Sequence, residues 1–431
     1  MILGRKIVLS GATFLLFLLV VGCASPPAAE PTTEGLNGAH VRVLGLWSGP
    51  ELAAFQTVAS AWEDQTGAIV DWEATQDLAG AVNAQAATPP DIGVLPNPGL
   101  MQQLAQEGRL VPLDSVMDMG QVTRDYAPTW IDLGSHHGTL YGIFLKVTDK
   151  ATVWYNPNAF AAAGYAVPET WDETLALADA MVAAGHTPFS VVAPRGPGSG
   201  WALTDWISQI VLSGCGPDLY DGWVAGEIPW SDPCIERSFR MFETIVQTPG
   251  YVLGGTQGIL TTTDANGAYP LYADPPTAYM YYLASFAQAF IASRYPNLDA
   301  GDDYGFFPFP IVDSQHEGAV TIGADVLVML NDTPAARSLL AYLAGAPAQE
   351  VWIGLGGFTS VNRSVSPDAY PDQVARAIAE QLTQASIIRF GAGDLMPTAL
   401  QTAWWSAMLD LVGDPDSLDS VLASLSATAA N

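Results

Sequence analysis

Lysine is nearly missing from this 431-residue chain: after Lys6 only Lys146 and Lys150 remain. Acidic residues outnumber basic ones 44 to 15, for a formal net charge of −29. Phosphate backbones and anionic headgroups repel such a chain, which excludes nucleic acid as a partner and argues against binding through an anionic lipid surface. Cysteine is equally sparse, at positions 23, 215 and 234. No Cys-x-x-Cys or Cys/His spacing suited to zinc occurs, and His136-His137 is an adjacent pair on an expected loop, a poor chelate. The sequence has no Gly-x-Ser-x-Gly elbow, phosphate-binding loop, His-Glu-x-x-His or dinucleotide fingerprint. It therefore offers no metal site, no cofactor motif and no recognised nucleophile.

Long apolar runs are confined to the N-terminus. Arg5 and Lys6 precede an apolar stretch over residues 7–21, which is shorter than the ~20 residues a bilayer span requires. It ends in Leu-Leu-Val-Val-Gly-Cys at residues 18–23, the pattern of a bacterial lipoprotein signal. Residues 1–22 are expected to be removed and Cys23 to be acylated, fixing the chain to the cell membrane outside the cytoplasm. Residues 23–39 are rich in Pro, Ala, Thr and Glu and read as a tether. Loss of Arg5 and Lys6 leaves a net charge of −31. Cys215 and Cys234 are then the pair left in an oxidising compartment, and a disulfide between them is expected, worth ~3 kcal/mol by loop entropy.

The remaining body is longer than one hydrophobic core usually serves, so two lobes are expected. A strand at 40–46 leads to a helix, with Ser48 and Glu51 spaced as a capping box. Strands at 68–74 and 91–95 and a helix at 100–106 continue a β-α-β alternation, the mark of a mainly parallel sheet with helices on both faces. Strand-rich stretches follow at 139–147 and 151–155. A helix capped by Thr170 and Glu173 comes next, and a later strand lies at 322–330. Tyr282, Phe286 and Phe290 are spaced as one face of a helix.

Tryptophan is what the chain has in abundance, with thirteen residues, several beside Gly, Pro, Ser or Asp at expected element ends. An indole face stacks on the apolar face of a pyranose while carboxylates and amides take its hydroxyls. Trp47, Trp201 and Trp405 are candidates for such contacts, whereas Trp62 and Trp404 read as core. Phe286 is a candidate on the same grounds. Lys146, in a strand, is a candidate polar contact. Lys150 reads as a surface residue.

Seven stretches then resemble one family: Leu95-Pro96-Asn97-Pro98-Gly99-Leu100, Leu140-Tyr141-Gly142-Ile143, Val153-Trp154-Tyr155-Asn156-Pro157, Val167-Pro168-Glu169-Thr170-Trp171-Asp172-Glu173, Asp274-Pro275-Pro276, Gly356-Gly357-Phe358-Thr359-Ser360 and Asp394-Leu395-Met396-Pro397. In this order, behind Cys23, they are similar to the extracellular solute-binding proteins of the carbohydrate type. These are receptors of ATP-binding-cassette sugar importers, here nearest in character to α-glucoside and maltodextrin receptors. The resemblance implies an α/β fold of two lobes with a ligand cleft between them. Lobe 1 would comprise 40–148 and 311–358, and lobe 2 would comprise 149–310 and 359–431. Chain crossings would lie near 146–154, 309–311 and 358–362. It further implies sugar contacts from Asn97, Phe286, Asp325, Phe358, Arg389, Asp394 and Trp405, with Arg389 orienting Asp394. Where near relatives carry a second aspartate before Asp394, this chain has Gly391-Ala392-Gly393.

The function implied is capture of a sugar, an α-linked oligosaccharide or glucoside, by hinge closure and delivery to membrane permease subunits. No cofactor and no metal is expected, and the receptor is expected to be a monomer and not an enzyme. A secreted glycoside hydrolase also uses tryptophans and carboxylates and stands as the alternative. A structural envelope lipoprotein, which would have no cleft, is a third reading.

Overall fold

The computed structural model describes residue 1 and residues 35–429, apart from 76, 197 and 198. The leader, Cys23 and most of the tether lie outside the described residues. The strands of the two larger sheets are, in chain order, β1 (His40–Gly45), β2 (Ile69–Ala74), β3 (Ile92–Leu95), β4 (Gly142–Asp149), β5 (Thr152–Tyr155), β6 (Phe189–Ser190), β7 (Met280–Tyr282), β8 (Gly305–Pro308), β9 (Ala319–Met329) and β10 (Ile387–Phe390). The fold is a mixed α/β arrangement built on these two sheets.

Six strands form the first sheet, in the order β10-β9-β3-β1-β2, with β4 on the free edge of β9. β1 is parallel to β2 and β3, as the β-α-β alternation requires. β9 is the long member. Its C-terminal half pairs antiparallel with β3, its N-terminal end pairs parallel with β10, and β4 runs antiparallel along its other edge. The second sheet is shorter, with the order β8-β5-β7-β6. Beside it the helix Trp201–Cys215 is buried on all sides from Ala202 to Gly214. Cys215 at its end is bonded to Cys234 at the start of the helix Pro233–Gln247, with Cα atoms 6.0 Å apart.

The chain passes from the first sheet to the second between β4 and β5, with only Lys150 and Ala151 intervening. This crossing is pinned from several sides. Asp149 and Ser285 exchange hydrogen bonds, N–H to Oγ and N–H to C=O. Lys150 N–H donates to the Thr321 carbonyl of β9, and Phe309 N–H donates to the Ala151 carbonyl. Gln209, fully buried on the helix Trp201–Cys215, donates to Ala319 O and accepts from the Thr321 N–H and hydroxyl. One amide thus ties the second sheet's main helix to the start of β9.

Four sequence expectations give way here. The expected boundary at 358/359 is displaced: Asn362, Arg363 and Ser364 bond to Ala344, Thr123, Asp125 and Tyr126 around the first sheet. Further on, β10 is a strand of the first sheet, although residues 359–431 were expected to belong wholly to the second lobe. The intervening helix Gln373–Gln384 does join the second side, with Gln381 donating to Ala151 O. Tyr282, Phe286 and Phe290 share no helix, because Tyr282 lies in β7 and the helix Ala287–Arg294 begins after Phe286. Ser48 occupies the N-cap of the helix Gly49–Thr66 but its side chain makes no capping bond, and the Glu51 carboxylate pairs with Lys146. At Thr170 and Glu173 the capping box does form.

Asp149 stands at the crossing, fully buried, with Oδ1 accepting from Ala151 N–H and Oδ2 without a partner among the described residues. Burial pushes its pKa up to about 7 against that one stabilising N–H. An unfolded aspartate titrates near ~3.9, so the buried charge destabilises the fold above pH 7 and the penalty fades as pH falls towards 4. Asp149→Asn keeps the shape and the bond to Ala151. It is expected to raise unfolding free energy by on the order of 2–4 kcal/mol at pH 8 and by almost nothing near pH 4. Urea denaturation at the two pH values checks this.

Candidate functional site

The strand pair β4–β9 carries two groups of charged side chains. In the first, Lys146 and Asp325 are cross-strand neighbours, and the register slips between Asp325 and Val326 so that Val326 opposes Phe144. Such a bulge shifts side-chain parity by one residue, which lets a polar pair face out of strands that are otherwise apolar. Asp325 accepts from the indole N–H of Trp47 at 3.0 Å, and the Lys146 ammonium pairs with Glu51 at the start of the helix Gly49–Thr66. Burial pushes the Asp325 carboxyl up to about 6. Lys146 and the Trp47 N–H oppose that rise, and the Glu51 charge adds to it.

The second group centres on Lys150. Its ammonium lies 3.0 Å from Asp205 Oδ1 and 2.9 Å from Asp394 Oδ2. Asp205 comes from the helix Trp201–Cys215 and Asp394 from the short helix Ala392–Leu395. Burial works against the charge on Lys150, but the two carboxylates outweigh it and hold its pKa above the usual lysine value. Burial, with Asp394 nearby, pushes Asp205 up to about 6 in spite of Lys150. Asp205 Oδ2 has no partner among the described residues.

Asn97 lies on a helix that neighbours the one carrying Asp394. It caps the helix Pro98–Gln106 after β3, accepting from Leu100 N–H. The helix Ala392–Leu395 packs against that same helix, so a Cβ placed on Gly99 would lie 3.4 Å from Asn97 Oδ1 and 3.5 Å from Asp394 O. The aromatic candidates form a third group. Trp201 and Phe286 are half-buried with ring centroids 5.9 Å apart, and Phe286 packs edge-on to Phe290. Trp405, also half-buried, comes in where Gly200 abuts its backbone: a Cβ there would lie 2.0 Å from Trp405 O, so only glycine permits the approach.

The remaining candidates are placed elsewhere. Trp47 is 3 % exposed, stacked on Trp72 at 5.3 Å and flanked by Phe55 and Trp352, so its faces serve the core and only its N–H serves the site. Phe358 is buried and stacked on Trp352. Arg389 does not orient Asp394. It makes a bidentate pair with Asp221 at 2.6 and 2.7 Å, and Lys150 holds Asp394 in its stead. Sequence reasoning missed Lys150, Asp205 and Glu51. The signal for Asp205 was available, as the one charged residue of a largely apolar helix. Among the described residues no group of His, Cys, Asp or Glu could hold a metal ion.

A family model described as bacterial extracellular solute-binding protein matches residues 47–350. The chain is 34% identical over 412 residues to the osmoprotective compounds-binding protein GgtB of a Synechocystis strain, covering 94% of this chain and 95% of GgtB. It is 32% identical over 396 residues to the α-glucosides-binding periplasmic protein AglE of Rhizobium meliloti, covering 89% and 86%. In fold it matches the β-D-galactopyranose receptor AcbH with a TM-score of 0.76 at 18% identity, covering 91% and 98% of the two chains. Maltose-bound MalE3 of T. maritima gives 0.71 at 16% identity, covering 90% and 99%.

The electrostatics of the first group generate a prediction. Glu51→Gln removes a negative charge beside Asp325 and leaves Lys146 to that carboxylate, so Asp325 is expected to titrate below about 6. The indole N–H resonance of Trp47, which Asp325 accepts, reports the titration. A midpoint unchanged or raised in the variant contradicts the charge arrangement.

Proposed function

The chain belongs to the bacterial extracellular solute-binding protein family, and from that premise we propose that it captures an α-linked oligosaccharide or glucoside and hands it to a membrane permease. The family consists of binding proteins of transporters, not enzymes, and the chain is a solute-binding protein of an ABC transporter. The hydrolase and structural-lipoprotein alternatives fall with that membership. Asp205 and Asp394 would be the nearest thing to a catalytic pair. One ammonium stands between them, in the space where a glycosidic oxygen would have to sit.

The sugar reading is supported by half-buried aromatic faces beside the crossing, where Trp201 opens the helix that carries Asp205 and Phe286 follows the Ser285 bonded to Asp149, and by polar groups at the first sheet. Trp201, Phe286 and Trp405 supply surfaces of the kind a pyranose ring stacks on. Asn97, Lys146, Asp325 and Asp394 supply acceptors and donors for hydroxyls. The relatives add to this reading, since AglE binds α-glucosides and MalE3 is bound to maltose.

In this reading residues 40–148, with 311–365 and β10, form one lobe, and most of the remaining body forms the other. Ligand contacts to both lobes favour the closed arrangement by differential affinity, with bending at the crossings between β4 and β5, between β8 and β9, and after residue 365. Cys23 carries the lipid that keeps the monomeric receptor beside its permease on the outer side of the cell membrane.

A panel of mono- and oligosaccharides screened by thermal shift, with release of reducing ends followed in parallel, tests the proposal. An α-linked sugar is expected to raise Tm with no reducing ends released. Trp405→Ala is expected to weaken its binding about tenfold, in keeping with the ~0.5–1.5 kcal/mol of an aromatic contact beyond its buried area. Failure of every sugar to bind, or unaltered affinity in Trp405→Ala, counts against the ligand class or the residue respectively. Cys23→Ala is expected to move the protein from the membrane to the soluble fraction of its host.

A further inference from the structure

We infer that Lys150 is a positioning residue for ligand recognition: it fixes one oxygen of Asp394 so that the other is presented to a sugar hydroxyl. The inference deepens the carbohydrate reading and rests on it. Three features of the fold support it.

The first is the gradient of exposure. The side chains of Asp205 and Lys150 are 9 % and 12 % exposed, whereas that of Asp394 is 25 % exposed. The group therefore has an inner acid, a buried cation and an outer acid, and only the outer one is open to a ligand. Lys150 bonds Oδ2 of Asp394, and Oδ1 accepts no hydrogen bond among the described residues, which leaves it for a hydroxyl. The second feature is where each member comes from. Asp394 sits on the short helix that packs against the helix capped by Asn97, so its carboxylate lies where the two halves of the molecule meet. Lys150 is the first residue past β4, held by its N–H to Thr321 of β9. Asp205 is anchored in a buried helix whose end is tied by the disulfide.

The third feature is the seat itself. The lysine stem runs between two glycines. A Cβ on Gly323 would lie 3.2 Å from Lys150 Cε, and one on Gly391 would lie 2.9 Å from Nζ and 3.1 Å from Asp394 Oδ2. Gly391 stands in the segment where an additional aspartate was expected from the resemblance. A side chain there would crowd the ammonium, so the glycine and the lysine are parts of one arrangement. Lys150 has a second task as well, which is to neutralise the buried Asp205. Any test must separate the two.

The experiment compares wild type, Lys150→Met and the double variant Lys150→Met/Asp205→Asn, using the sugar that gives the largest thermal shift in the panel and its monodeoxy analogues. In the single variant both carboxylates lose their cation, and instability is expected. The double variant removes the buried charge and is expected to regain a Tm within a few degrees of wild type, yet to bind the sugar at least tenfold more weakly. Wild type is expected to lose affinity sharply for one monodeoxy analogue, and the double variant to distinguish that analogue from the parent sugar by less than twofold. A double variant that binds within twofold of wild type, or keeps the same deoxy discrimination, overturns the assignment and leaves the sugar reading standing. A wild-type protein that binds no sugar of the panel overturns both.

Discussion

The antiparallel pairing of β4 with β9 is the interaction on which the rest of the molecule depends. β9 is central in the first sheet, touching β3, β4 and β10, and its first residues are reached by Gln209 from the helix beside the second sheet. β4 runs off this pair directly into β5 of the second sheet with two residues between. Both lysines of the folded body lie on this run, four positions apart, about 13 Å at the rise of an extended chain. A single ladder thus spaces the two charged groups and carries the chain from one sheet to the other.

Charge is used sparingly and at close quarters. A buried cation between two carboxylates is favourable only if the Coulombic attraction and hydrogen bonds outweigh the loss of hydration, and Lys150 meets this with two bonds of 2.9–3.0 Å. The arrangement leaves one carboxylate oxygen of Asp205 unsatisfied, and its pKa rises accordingly. Asp325, likewise pushed up by burial, accepts from a tryptophan N–H where Asp205 accepts from an ammonium. A buried polar network held by such bonds is rigid and fixes the direction of its side chains.

The aromatic residues divide along lines that spacing alone did not reveal. Trp62 and Trp404 are core, as their helical spacing suggested. Trp47 stands at a strand end before a helix, a place where α/β folds bind ligands, yet both its faces are taken by Trp72, Phe55 and Trp352. Phe358, in a motif shared with the family, is stacked away in the same cluster. Side-chain direction at an element end depends on which neighbours fold over it, and in this case the helix Ala346–Leu355 brings Trp352 onto Trp47 from about 300 residues away in sequence.

Sequence by itself determined the local elements, and for definite reasons. The β-α-β alternation and the Thr170–Glu173 capping box act over a few residues, so their outcome is already present in the chain. The same holds for the pair of cysteines available to bond. What only the tertiary structure decided are the pairings across distance. Lys150 meets acids 55 and 244 residues away, Arg389 turns to Asp221, Glu51 abandons its capping role for Lys146, and β10 inserts beside β9. Each depends on strand register, on the bulge at Asp325 and on the rotation of packed helices. A shift of one residue in strand register would send a side chain to the opposite face, and nothing local in the sequence records which register was taken.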